Sequence, residues 1–145
     1  MSPTKDAEII FKSDEKVQGV DDHSRLRAWI EEVVRRENHL IERLAYFFVS
    51  DDALLNMNNE FLSHDTLTDI LTFPYSYSPI AADIYISYDR VAQNAITHKC
   101  TLEEEMRRVI IHGVLHMCGW TDKTDEDNTA MRRREDECLA LWVGK

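Results

Sequence analysis

From Val109 to Cys118 every residue is apolar or glycine, except His112 and His116. A helix that is apolar nearly all round must be buried. Buried polar side chains left without partners cost roughly 1–3 kcal/mol each, so these two histidines need something to bind. Spaced i and i+4, they project from one face, about 6 Å apart along the axis. Two imidazoles so placed can hold one metal ion, or each can pack against a carbonyl. Gly113 between them costs about 1 kcal/mol of helix propensity relative to alanine. Its missing side chain suits close approach by a strand or loop. Gly119 is placed to stop the helix. A third ligand has to come from beyond that stop, where Asp122 is the nearest good donor.

The helix also tests one hydrolase class. A zinc peptidase needs glutamate beside the first histidine, as H-E-x-x-H, to serve as general base. Position 113 is glycine. The metal pair is present without that base, so peptide hydrolysis is disfavoured.

The rest of the chain predicts an α+β fold, with one mixed sheet of about four strands packed by about five helices. At 145 residues it suits a single domain, 1–145. Glu8–Lys12 reads as a first strand, and Lys16–Asp22 as a turn. Ser24 is a candidate cap for a helix burying Leu26, Trp29, Ile30, Val33 and Val34, a 3.6-residue period. Leu44–Val49 is aromatic and β-branched, which predicts a central strand. Ser50, Asp51 and Asp52 offer caps for a short helix through Leu54, Leu55 and Phe61. Ile70–Phe73 is followed by Pro74 and Pro79, which suits an edge strand or a loop. Asp83–Ser87 alternates as a strand does. A helix is expected over Asp89–Lys99 with Val91, Ala92, Ala95 and Ile96 inward. Thr101 and Glu104 form a capping box for the histidine helix, and Thr124 opens a last one.

Charge narrows the partners. Seventeen basic residues against 27 acidic give a net charge of −10. A protein that coats duplex DNA shows a basic face in its totals, and this one does not. Any contact with RNA or DNA would have to be local or helped by a metal ion. Cys100, Cys118 and Cys138 are odd in number and have no C-x-x-C spacing, which favours free thiols in a reducing cytoplasm and no disulfide-linked partner. Met1–Asp6 lacks the apolar core of a secretory signal, and the longest apolar stretch is too short to span a bilayer. A cytoplasmic location without membrane association is the expectation.

Three segments resemble the YbeY family, single-strand-specific, metal-dependent endoribonucleases of ribosomal RNA maturation. His112–Asp122 is similar to that family's H-G-x-L-H-x-x-G-Y-D-H signature. Thr68–Pro74 resembles T-D-V-L-S-F-P, and Asp83–Ser87 resembles the strand G-D-I-x-I-S. Order and spacing agree, over roughly Leu44 to Cys138. The resemblance implies a compact α+β fold with the metal site at the end of the central helix. It also implies ribosomal RNA precursors, the ribosome or its assembly factors as partners.

Two departures matter. The signature ends in a third histidine where this chain has Asp122. Carboxylate oxygen is an acceptable zinc ligand, so His112, His116 and Asp122 are the expected metal set, with zinc favoured by nitrogen-rich ligation. Aspartate lowers the charge of such a site from +2 to +1. The second departure is Leu62, where many family members carry an arginine able to clamp phosphate. His64 is a candidate partial substitute or a plain loop residue. Asp69 and Asp83 match family positions and are candidates for orienting a ligand histidine or for building turns. Arg132–Arg134 is a tight basic cluster that either meets RNA phosphates or, as the neighbours Glu135, Asp136 and Glu137 favour, forms a salt-bridged solvated face. Tyr75–Tyr77 reads as a loop that either stacks bases or, preferably, packs on its own domain. No general base is marked. A ribosome-assembly or RNA-binding factor with a structural metal remains the alternative, and another metal-dependent hydrolase a third.

Overall fold

In the computed structural model, β-branched and aromatic runs form one four-stranded sheet, against which the histidine helix is seated. The structure describes residues 7–13, 17, 19–62 and 68–143, with 61, 62 and 143 described by backbone alone. His64 and part of the 16–22 turn lie outside the described residues. In chain order the elements are β1 (Glu8–Ser13), α1 (His23–Arg36), β2 (Ile41–Val49), α2 (Asp51–Leu62), β3 (Ile70–Tyr77), β4 (Ile80–Ser87), α3 (Tyr88–His98), α4 (Leu102–Met117) and α5 (Asp125–Val143).

The strand order is β1-β2-β4-β3. β1 and β4 both run parallel to β2, and β3 pairs antiparallel with β4. The sheet is therefore mixed, as expected. Pro74 lies in β3, at the sheet's edge, where a missing N–H breaks no interior ladder. A register shift between Pro74 and Ser76 absorbs the irregularity.

Alternation sorts the side chains of β4. Ile80, Ala82, Ile84 and Ile86 are all buried. Leu44, Tyr46 and Phe48 of β2 join them on the same face. α4 covers this face, and the Tyr46 hydroxyl donates to the Ile110 carbonyl at 3.2 Å. Gly113 is a point of close approach. A Cβ there would lie 2.9 Å from Ile70 Cδ1 and 3.3 Å from Ile84 Cδ1. The missing side chain is what lets the helix sit directly on β3 and β4.

Three local expectations are corrected. Asp22, not Ser24, caps α1, accepting from the Arg25 N–H at 3.1 Å. Both residue types are good caps, and the helix starts where the chain leaves the preceding turn. Ile96 is 73% exposed rather than inward. α3 buries the narrow strip of Val91 and Ala95, and Ile96 falls beside it. Tyr75 and Tyr77 belong to β3 and are exposed, not packed in a loop. The Tyr75 hydroxyl donates to Asp83 at 2.7 Å.

Candidate metal centre

The C-terminus of α4 builds the centre. Glu103, Glu104 and Glu105 occupy its first turn, where they favour the positive end of the dipole, and Thr101 accepts from the Glu104 N–H at 3.1 Å. The helix ends in a Schellman motif. Trp120 N–H donates to the Leu115 carbonyl and Gly119 N–H to that of His116, both at 3.1 Å. Gly119 takes φ of +103°, the left-handed region that a side chain disfavours. This reversal turns the chain back toward the histidine face.

Two anchors fix the returning segment. Trp120 Nε1 donates to Glu37 at 2.7 Å, and the other Glu37 oxygen accepts from Arg134 at 2.7 Å. The Thr121 hydroxyl donates to Asp127 at 2.8 Å. Asp122, next in sequence, meets both histidines. Its Oδ2 lies 3.4 Å from His112 Nε2 and 3.4 Å from His116 Nε2. The two Nε2 atoms are 3.0 Å apart.

That triangle is the fit test for an ion. Zinc bonds of about 2.0–2.2 Å put tetrahedral donors about 3.3–3.6 Å apart. The three edges of 3.0, 3.4 and 3.4 Å are close to that, so the donor set can close on one small divalent cation.

His112 is oriented by a residue that the sequence did not single out. Its Nδ1 donates to Glu135 Oε2 at 2.6 Å, which leaves the Nε2 lone pair facing Asp122 and His116. Glu135 is only 4% exposed. Its second oxygen accepts from Arg108 Nη1 at 2.9 Å, and Arg108 Nη2 reaches Asp136 at 2.5 Å. Glu135 therefore does not belong to a solvated face. Burial pulls the His112 pKa down, but the Glu135 hydrogen bond and the charges of Glu135, Asp122 and Asp69 outweigh it, so the net shift is upward.

The other candidates separate. Asp69 borders the cluster, but its carboxylate accepts from Asn94 at 3.2 Å rather than from a ligand histidine. Burial raises its pKa, opposed by the charge of His112. Asp83 is not at the site. It alternates with Ile84, which faces Gly113, so it lies on the opposite face of the sheet, bonded to Tyr75 and Arg43.

Two clefts flank the cluster. One, of about 510 Å³, runs between β3 and the segment after α4, bordered by Thr72, Tyr77, His116 and Trp120. The other, of about 410 Å³, lies between α3, α4 and α5. His112 and Asp122 line both.

Comparison with known proteins agrees with this architecture. The Endoribonuclease YbeY family profile matches residues 9–142. An Endoribonuclease YbeY of Flavobacterium psychrophilum is 48% identical over 115 residues, covering 79% of this chain and 82% of the relative. That of Cytophaga hutchinsonii is 41% identical over 135 residues, covering 92% and 94%. The solution structure of TM1509 from Thermotoga maritima superposes with a TM-score of 0.67 at 26% identity, covering 95% of this chain and 89% of the other. This chain belongs to the YbeY endoribonuclease family.

Proposed function

We propose that this protein is a metal-dependent endoribonuclease that cleaves single-stranded segments of ribosomal RNA precursors, with His112, His116 and Asp122 holding one divalent ion. The observation that carries this reading is the triangle of donor atoms, 3.0, 3.4 and 3.4 Å on its sides. Zinc is favoured by two imidazole nitrogens and one carboxylate oxygen. When bound, such an ion polarises a phosphoryl oxygen and acidifies water.

The protein's own residues do the rest. Glu135 holds the His112 Nδ1 proton, so Nε2 remains a lone-pair donor. The Arg108 guanidinium, bonded to the other oxygen of Glu135, fixes that carboxylate in place. The Gly119 reversal and the Trp120 and Thr121 anchors hold Asp122 over the histidine face. The open clefts on either side admit a flexible single strand more readily than a rigid duplex. Ribosomal RNA precursors in the cytoplasm are the proposed substrates, with the ribosome or assembly factors as partners. No described helix is long and apolar enough to cross a membrane.

Leu62 and the net charge of −10 favour one rival, an assembly factor whose metal is structural. Single-stranded ribosomal RNA incubated with the purified chain, with and without chelator, separates the two. Cleavage that chelator abolishes, and that His116→Ala lacks, supports the enzyme. RNA or ribosome association without cleavage supports the rival.

A further inference from the structure

We propose that Arg132 binds a backbone phosphate of the single-stranded RNA beside the metal centre. This rests on the endoribonuclease reading and adds the residue that grips the substrate. Arg132 lines the cleft of about 410 Å³ together with His112, Asp122, Asn128 and Glu135. Asn128, Arg132 and Glu135 follow one another at four- and three-residue steps, so they share one face of α5. Glu135 fixes that face against His112. Arg132 lies one turn nearer the start of α5, above the same cleft.

The other basic side chains in the cleft wall are committed. His98 Nδ1 lies 3.2 Å from Glu105. Arg108 is held by Glu135 and Asp136, and His112 by Glu135. Arg132 is exposed and, among the described residues, makes no hydrogen bond or ion pair. Its neighbours differ from it. Arg134 is held by Glu37 at 2.7 Å, and Arg133 faces a separate hollow with Asp125 and Glu126.

An uncommitted guanidinium is notable in a chain of net charge −10. The same cleft carries Asp69, Glu105, Asp122 and Glu135. Those carboxylates repel a polyanion, so a phosphate entering it needs a local cation. Arginine presents a planar fork that can hydrogen-bond two phosphate oxygens at once.

The test uses the full-length zinc-loaded chain and a fluorescein-labelled 2′-O-methyl single-stranded RNA of about ten nucleotides, a length within one binding site. Arg132→Ala should weaken binding about tenfold, and Arg132→Lys should recover part of it. The slope of log affinity against log salt should shrink by about 0.7, one phosphate contact on a single strand. With cleavable RNA, KM should rise more than kcat falls. Metal content measured by elemental analysis should not change. Arg133→Ala, two residues from the buried Glu135 and outside the cleft, should bind as the unaltered chain does. Wild-type affinity and slope in Arg132→Ala overturn the proposal, as does equal loss in both alanine variants. An unaltered chain that neither binds nor cleaves RNA removes the endoribonuclease reading itself.

Discussion

Glu135 accepts a 2.6 Å hydrogen bond from His112 Nδ1, although the two residues lie on different helices. The pair ties α5 to the C-terminal half of α4 at the point where the candidate ligands converge. Carboxylates that hold the far nitrogen of a ligand histidine typically contribute 10- to 100-fold to metal affinity, so about that loss is expected for Glu135→Gln. Competition against a chromophoric chelator measures it. Undiminished affinity would mean that Glu135 serves only the packing of α5.

The same pair sets a pH dependence in the metal-free protein. The folded-state pKa of His112 lies above its ordinary value, where the Glu135 bond and neighbouring carboxylates outweigh burial. Protonated His112 therefore stabilises the fold. Its contribution is fully present below the unfolded pKa of about 6.5 and is lost as pH rises through the raised folded value. Chelator-treated protein should lose thermal stability from this group as pH rises above about 6.5. Glu135→Gln should flatten that difference. Thermal melts of both proteins across the range decide it, and parallel curves would sink the assignment.

How much of this was legible in the sequence follows the range of the interactions. Period and spacing are local, so the buried α4, its two histidines and the Gly119 stop could be read directly. Asp122 was within reach because it follows that stop by three residues. Glu135 was hidden in the run Arg132–Glu137, where every residue is charged and only tertiary packing selects one for burial. A hint existed: Met131, Glu135 and Cys138 repeat at four and three residues, and all three are buried. The same packing divides the arginine cluster, sending Arg134 to Glu37 and leaving Arg132 at the cleft. Asp83 misled because a matching segment does not say which face of a strand points toward the site.

Gly113→Ala pits two effects of similar size against each other. Alanine gains about 1 kcal/mol of helix propensity. Its Cβ would meet Ile70 Cδ1 at 2.9 Å and Ile84 atoms at 3.3 and 3.4 Å. Overpacking typically costs about 1–3 kcal/mol, so a net loss of about 1 kcal/mol is expected. Ile70→Val removes the Cδ1 and should recover part of that loss. A double-mutant cycle by urea denaturation reads the coupling, and additive effects would show that Ile70 is not the obstacle.

The three thiols should be free and slow to react. Burial and the charge of Glu37 push Cys118 up to about 12, and burial likewise raises Cys138 to about 11, against the opposing charge of Arg134. Cys100 is also raised, by burial and by Glu105. A thiolate, not a thiol, attacks disulfide reagents. A titration of native protein near neutral pH should therefore be slow, with Cys138 slowest because it is fully buried. Denatured, non-reduced protein should give three thiols. A count of one would reveal a disulfide.

Asp122 offers the sharpest test of the metal set. Its Oδ2 is equidistant, at 3.4 Å, from the Nε2 atoms of His112 and His116. Its backbone is held by anchors at Trp120 and Thr121, so a substitution should leave the segment in place. Asp122→Ala removes a donor and a negative charge, and metal affinity should fall as it does when one of three protein ligands is lost. Asp122→His keeps a donor but removes the charge, restoring a +2 site. In neutral-ligand zinc sites water is acidified from 15.7 toward about 7. The acid limb of the pH–activity profile of Asp122→His should therefore move to lower pH, with metal content retained. Elemental analysis and rate profiles on the same preparations check both halves. Unchanged metal affinity in Asp122→Ala would reduce Asp122 to a turn residue and require another third donor, with His64 the first to be tested.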